Sequence, residues 1–150
     1  MAQANLGRDL ALELVDDRAL SLYRARDEIV RAAAPRPVRT LDFVEVAGRA
    51  NLGQALVTRL LTPRGELARL GHPTYGSRLH EVIGRPNTAT TRNLAKLFVI
   101  EALKAERRVA KIEGVEVTPH PVDRMLILIA VSVTPVGEDV PLSLSFGLEL

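Results

Sequence analysis

Glu66 and Glu81 lie toward the two ends of a run crowded with turn residues, Leu60–Gly84, LLTPRGELARLGHPTYGSRLHEVIG. Two carboxyl groups flanking one substrate bond are what glycoside hydrolysis needs, if one of them stays protonated to act as the acid. Such a pair recurs in many chains, and without a cleft that raises one pKa it is a weak signal. The other chemistry-bearing residues give less. His72 and His80 are eight residues apart, and His80-Glu81 opens an H-E-x-x-H zinc motif that no second histidine completes. The chain has no cysteine, so thiolate ligands and nucleophiles are absent, and His120 adds no third ligand nearby. Ser77 lies in TYGSR, not in a G-x-S-x-G elbow. Gly65, Gly71, Gly76 and Gly84 are spaced as turns, not as a phosphate-binding loop. The residues therefore predict no catalytic group, no metal and no cofactor. They predict a fixed, irregular contact surface shaped by Pro63, Gly65, Glu66, Pro73, Tyr75 and Gly76. The alternative is a hydrolase using Glu66 and Glu81.

The elements that must position this run are legible around it. Asn51 has the chemistry of an N-cap, and Leu52, Ala55, Leu56, Leu60 and Leu61 share one helical face. That helix should stop at Thr62, because Pro63 cannot continue it. Leu67–Leu70 predicts one further helical turn, and Leu79–Ile83 a short apolar patch. A second helix is expected over Thr91–Arg107, capped by Thr88, Thr90 or Thr91, with Glu101 and Lys104 paired on its polar face. From Val109 the period becomes two. Ile112–Val117 predicts a strand, and Met125–Val133, apolar on both faces, a central one. Leu142, Leu144, Phe146, Leu148 and Leu150 alternate with Ser143, Ser145, Gly147 and Glu149, as in an edge strand with one buried face. Edge strands carry unpaired amides and carbonyls and are used for pairing.

Upstream, Asp9–Val15 and Leu41–Val46 alternate as strands. Asp16-Asp17 predicts a turn, Ala19–Ala33 a short exposed helix, and Pro35-Arg36-Pro37 its end. The expected class is α+β, two main helices on a mixed or antiparallel sheet with a C-terminal β-meander. One domain over 1–150 is expected.

Composition narrows the partners. The 150 residues are 47% hydrophobic but only 3% aromatic, so the core is aliphatic. A net charge of +2, with no basic cluster interleaved with aromatics, argues against nucleic acid. The longest apolar run, Met125–Val131, is too short to span a bilayer. The N-terminus lacks the pattern of a signal peptide, and the missing cysteines suit assembly in a reducing cytoplasm.

The run Leu60–Glu66, LLTPRGE, followed by His72–Leu79, HPTYGSRL, resembles the phage baseplate assembly protein W family. These are wedge proteins of contractile tails, often labelled lysozyme-like. The order of apolar helix, T-x-x-G-E turn, P-x-[FY]-G loop, apolar patch and long helix matches over about Asn51–Val133. The family's Glu-Pro-Arg signature at the helix end is matched by Glu106-Arg107-Arg108, with Arg107 in the proline's place. The resemblance implies that Glu106, Arg107 and Arg108 dock the wedge core bundle. It implies that the last strand, through Leu142–Leu150, templates the first sheath ring by strand addition. The implied partners are other wedge proteins and the sheath protein, with the inner tube or hub as a further candidate, in six copies per baseplate. The implied location is the cytoplasm during assembly and then a phage tail or contractile injection particle, with no enzymatic activity. The first fifty residues match less, so the resemblance implies a family core over 51–150 and a variable N-terminal part over 1–50, whose strand with an Arg-rich insertion resembles versions in extracellular injection systems or certain phages.

Overall fold

A computed structural model describes residues 6–17, 20–25, 27–31, 39–43 and 45–150. It divides into two compact units, one spanning Asn5–Gln54 and the other built on Ala55–Leu150. Helix α1, Gly48–Leu61, carries the boundary between them.

In the first unit, three antiparallel pairs account for the described strands. β1 (Arg8–Leu10) pairs with β6 (Glu45–Ala47), β2 (Leu12–Asp17) with β3 (Leu20–Ala25), and β4 (Asp27–Arg31) with β5 (Arg39–Phe43). The helix expected over Ala19–Ala33 is thus corrected to strands. Main-chain pairing there overrides the helix propensity of Ala, Arg, Glu and Leu, which is a weak prior. Asp16 and Asp17 are strand residues opposite Ser21 and Leu20, not a turn. The expected Asp9–Val15 strand is split at Ala11, because Gln54 intervenes. Its amide donates to Leu10 O at 2.8 Å and its carbonyl accepts from Leu12 N at 2.7 Å. Leu41–Val46 is likewise divided between β5 and β6. Asn51 is not an N-cap. The helix begins at Gly48, whose φ of +61° lets the chain turn straight out of β6. Asn51 is buried inside the helix and donates to Leu6 O at 2.9 Å. The Pro35-Arg36-Pro37 break lies outside the described residues.

In the second unit, α1 ends at Leu61, ahead of Pro63, as expected. Ala68–Leu70 and Leu79–Val82 form short 3-10 turns rather than α-helical ones. Helix α2 spans Ala89–Lys104, and Thr88 caps it by accepting from Thr91 N at 3.2 Å. The helix therefore ends before Glu106-Arg107-Arg108, which forms the connector into β7 rather than a helix tip. Strands β7 (Val109–Pro119), β8 (Leu126–Pro135) and β9 (Leu142–Glu149) make an antiparallel meander in that order. The class is α+β, and every described pair of named strands is antiparallel, so no sheet is mixed.

The core is aliphatic. Leu56, Leu60, Leu79, Val82, Val99 and Leu103 are buried with Ile127, Ile129, Val131 and Val133 of β8, and Phe98 is the large aromatic among them. Each such side chain contributes roughly 1.5–3 kcal/mol on leaving water. β8 is central as expected, but only one of its apolar faces is covered. Leu128 on the other face is 38% exposed. Among the described residues, no helix is long and apolar enough to cross a membrane.

Candidate functional site

The arc from Thr62 to Arg78 is closed on itself by its own backbone. Arg64 N donates to Ser77 O at 2.8 Å, Ser77 N to Thr62 O at 2.8 Å, and Gly65 N to Tyr75 O at 3.4 Å. Gly76 makes this closure sterically possible. Its φ is +104°, and a Cβ there would lie 2.5 Å from Thr62 O and 2.8 Å from Pro63 O. Ser77 is buried; its hydroxyl donates to Leu60 O and accepts from Leu79 N. That hydroxyl satisfies a carbonyl left open at the end of α1, so its role is structural.

The carboxylates of the hydrolase reading sit in unlike settings. Glu66 is exposed in the Pro63 turn, where its amide donates to Pro63 O. Glu81 is gripped by Arg78, with Nε at 2.7 Å and Nη2 at 3.0 Å. That hydrogen-bonded guanidinium, against a smaller opposing effect of burial, holds the Glu81 carboxyl below its ordinary range. A general acid needs the opposite shift. His72 and His80 are exposed. His120 organises the β7–β8 loop, its Nδ1 accepting from Val122 N and Asp123 N in the assigned tautomer. Among the described residues, no cluster of His, Asp or Glu is arranged to hold a metal.

Glu106, expected as a docking residue, is only 8% exposed. Its Oε1 accepts from Arg108 Nε at 2.8 Å and from Arg108 N at 3.3 Å, and Oε2 accepts from Arg108 Nη2 at 3.2 Å and Arg59 Nη2 at 3.4 Å. Burial pushes this carboxyl up. The hydrogen bonds from Arg108, with the charges of Arg108 and Arg59, outweigh it and leave the group below its ordinary range. Glu106 thus ties the end of α2 to the start of β7 and to α1. Arg107 is exposed, and the Arg108 side chain keeps 29% of its surface accessible.

Sequence reading missed a second set of residues. Arg59 stacks over Tyr75, 4.5 Å from the ring centre, and Arg78 over Phe98 at 4.4 Å. Glu101 does not pair with Lys104. It bonds Arg64 Nη1 at 2.5 Å and faces Arg78 Nη1 at 3.9 Å. These groups line a pocket of about 320 Å³ whose rim is the exposed Gly71–Thr74 stretch. Only the i, i+3 spacing of Arg78 and Glu81 was readable; the other arginines converge from distant positions.

The last strand is an edge. β9 pairs with β8 in unbroken register from Leu142↔Val133 to Glu149↔Leu126. Leu142, Leu144, Phe146 and Leu148 are half-buried, Leu150 is buried, and Ser143, Ser145, Gly147 and Glu149 are exposed. Leu150 N donates to Met125 O at 2.7 Å. Backbone groups alternate sides along an antiparallel strand. It follows that those of Ser143, Ser145, Gly147 and Glu149 face away from β8. Among the described residues, no strand pairs with that outer side.

No family model matches the chain, and no curated protein matches it. Among solved structures, it is similar to a Geobacter sulfurreducens protein provisionally named a tail lysozyme, with a TM-score of 0.57. The match covers 65% of this chain and 86% of that one at 24% identity, and what the two share is the fold.

Proposed function

We propose that the chain is a structural subunit of a phage-type contractile tail, a baseplate wedge component that pairs with the sheath through β9. The observation that carries this reading is the edge of β9, which is long, unbulged, nearly uncharged and regular in its backbone groups. The likeness to a protein named as a tail component supports the tail setting. Docking to the wedge core falls to exposed Arg107 and the accessible rim of Arg108, with buried Glu106 holding the connector in shape.

The test is genetic and structural. Ser145→Pro removes one outward amide and leaves the β8 ladder intact. In the tail-producing host it should yield baseplates on bare tubes. Normal sheath on Ser145→Pro particles would sink the strand-pairing role. Arg107→Glu should abolish recruitment to wedges while the isolated subunit stays folded, and unchanged recruitment would remove the docking role.

The neighbour's name keeps one second reading open, peptidoglycan cleavage by Glu66 and Glu81. The grip of Arg78 on Glu81 weighs against it. Clearing of a cell-wall suspension by the purified chain, lost in Glu66→Gln, would replace the structural reading.

A further inference from the structure

Resting on the reading of the Thr62–Arg78 arc as a contact surface, the chemistry of its pocket identifies what it meets. Three guanidinium groups, Arg59, Arg64 and Arg78, line the pocket beside one carboxylate, Glu101. Arg78 is committed to Glu81 through Nε and Nη2, so that only Nη1 faces Glu101, at 3.9 Å. Among the described residues, the Arg64 side chain bonds through Nη1 alone. The Arg59 side chain is 13% exposed; its contact to Glu106 is long at 3.4 Å, and among the described residues its Nε has no hydrogen-bond partner. Arg59 shares Glu106 with Arg108, so four guanidinium groups are set against the three carboxylates of Glu81, Glu101 and Glu106, which leaves one positive charge in excess around the wall, and a poorly satisfied buried guanidinium is costly. The rings of Tyr75 and Phe98 hold two of the guanidinium planes in fixed orientation, which lowers the ordering cost of binding.

We infer that this pocket receives one side-chain carboxylate, Asp or Glu, from a partner-protein segment crossing the Gly71–Thr74 rim. Arginine forks bind carboxylates through paired N–H groups, which suits a planar anion better than a neutral amide. Glu101, whose side chain is 43% exposed, occupies the Arg64 donor that the incoming group needs. Neutralising it should strengthen binding, whereas a pocket made for a cation would respond in the reverse sense.

The test is an amide NMR titration of the full chain with four pentapeptides, each blocked at its N-terminus. Three are amidated at the C-terminus and carry a central Glu, Gln or Lys. The fourth carries a central Gln and a free terminal carboxylate. The Glu peptide should give saturable shifts at Tyr75 and Gly76 amides, with the amidated Gln peptide weaker by about tenfold. Arg64→Gln should weaken the Glu peptide by about tenfold, and Glu101→Gln should tighten it by about threefold. Both positions are exposed, so both variants keep the fold. Equal or tighter binding of the Gln, Lys or free-terminus peptide, or no effect of Arg64→Gln, overturns the assignment. Co-purification with tail proteins separates this from the functional reading. If they co-purify while the Glu peptide gives no saturable shift, the pocket assignment falls and the structural role stands. If the Glu peptide binds while no tail protein co-purifies, the pocket stands and the role falls.

Discussion

The Thr62–Arg78 arc and strand β9, the two surfaces for which contacts are proposed above, use their backbones in opposite ways. The arc bonds its amides and carbonyls internally, through Ser77, Thr62 and Tyr75, and presents guanidinium groups outward. Among the described residues β9 pairs on one side alone and presents main chain outward on the other, with side chains that are small or apolar from Leu142 to Leu148. Under the proposals, recognition by the arc would be electrostatic and directional, and pairing by β9 would be periodic and indifferent to charge. β7, the other edge of the same sheet, sharpens the contrast. Its register shifts between Val109 and Lys111 and again between Ile112 and Gly114, and it carries Lys111, Glu113 and Glu116. Bulges and charges are how edges are kept from pairing. β9 has neither defence along Leu142–Leu148.

The strongest way to break the comparison is to damage the arc's closure. Gly76→Ala places a methyl against two backbone carbonyls that cannot move aside, and should cost about 3 kcal/mol in urea denaturation. Gly147→Ala on β9 meets only the flexible end of Leu126, at 3.1 Å, and should cost less than about 1 kcal/mol. Similar losses at the two sites would erase the distinction between a rigid arc and a tolerant edge.

Next is Glu106→Gln. It removes the charge that Arg59 and Arg108 share, and should destabilise by about 2 kcal/mol at neutral pH in the same assay. In the parent chain the folded pKa of Glu106 lies below the unfolded value of about 4.3. Its contribution is therefore complete above that value and is lost as pH falls through the folded pKa. The variant's stability should change less than the parent's over that acid range. A constant gap between the two, held through the acid limb, would refute the role given to Glu106.

Smaller in stability, but decisive for contact, are Ser145→Pro and Arg64→Gln. Each should shift stability by less than about 1 kcal/mol, since one acts on an outward amide and the other on an exposed ion pair. Partner binding through the arc should weaken steeply between low and physiological salt, while pairing through β9 should barely respond. Equal salt dependence of both contacts would show that the two surfaces do not work differently.

The sequence was most readable where periodicity was strong. Leu142–Leu150 alternated because one face is covered and the other is not, and the β-meander and the stop of α1 before Pro63 followed from similarly local rules. It was least readable where partners are remote in sequence. Nothing near Ala19–Ala33 reveals that its backbone pairs with β2 and β5. Asn51 carries the chemistry of a cap, and only the position of Leu6 turns it into an internal strut. The candidate site divides the same way. Pro63, Pro73 and Gly76 announced a shaped arc. The gathering of Arg59, Arg64 and Arg78 around Tyr75, Phe98 and Glu101 depends on α1 and α2 being brought together, which no local motif records. Glu106 was visible as a charged residue beside Arg108, but its burial came from the helix ending at Lys104.

Amide hydrogen exchange at Ser143, Ser145 and Gly147, measured in the isolated chain and again in tails assembled with it, tests the strand-pairing claim most directly. Outward-facing edge amides should exchange rapidly in the isolated chain and become protected by about a hundredfold or more once a partner strand is laid alongside. Rapid exchange persisting at all three amides within assembled, sheathed tails would contradict it.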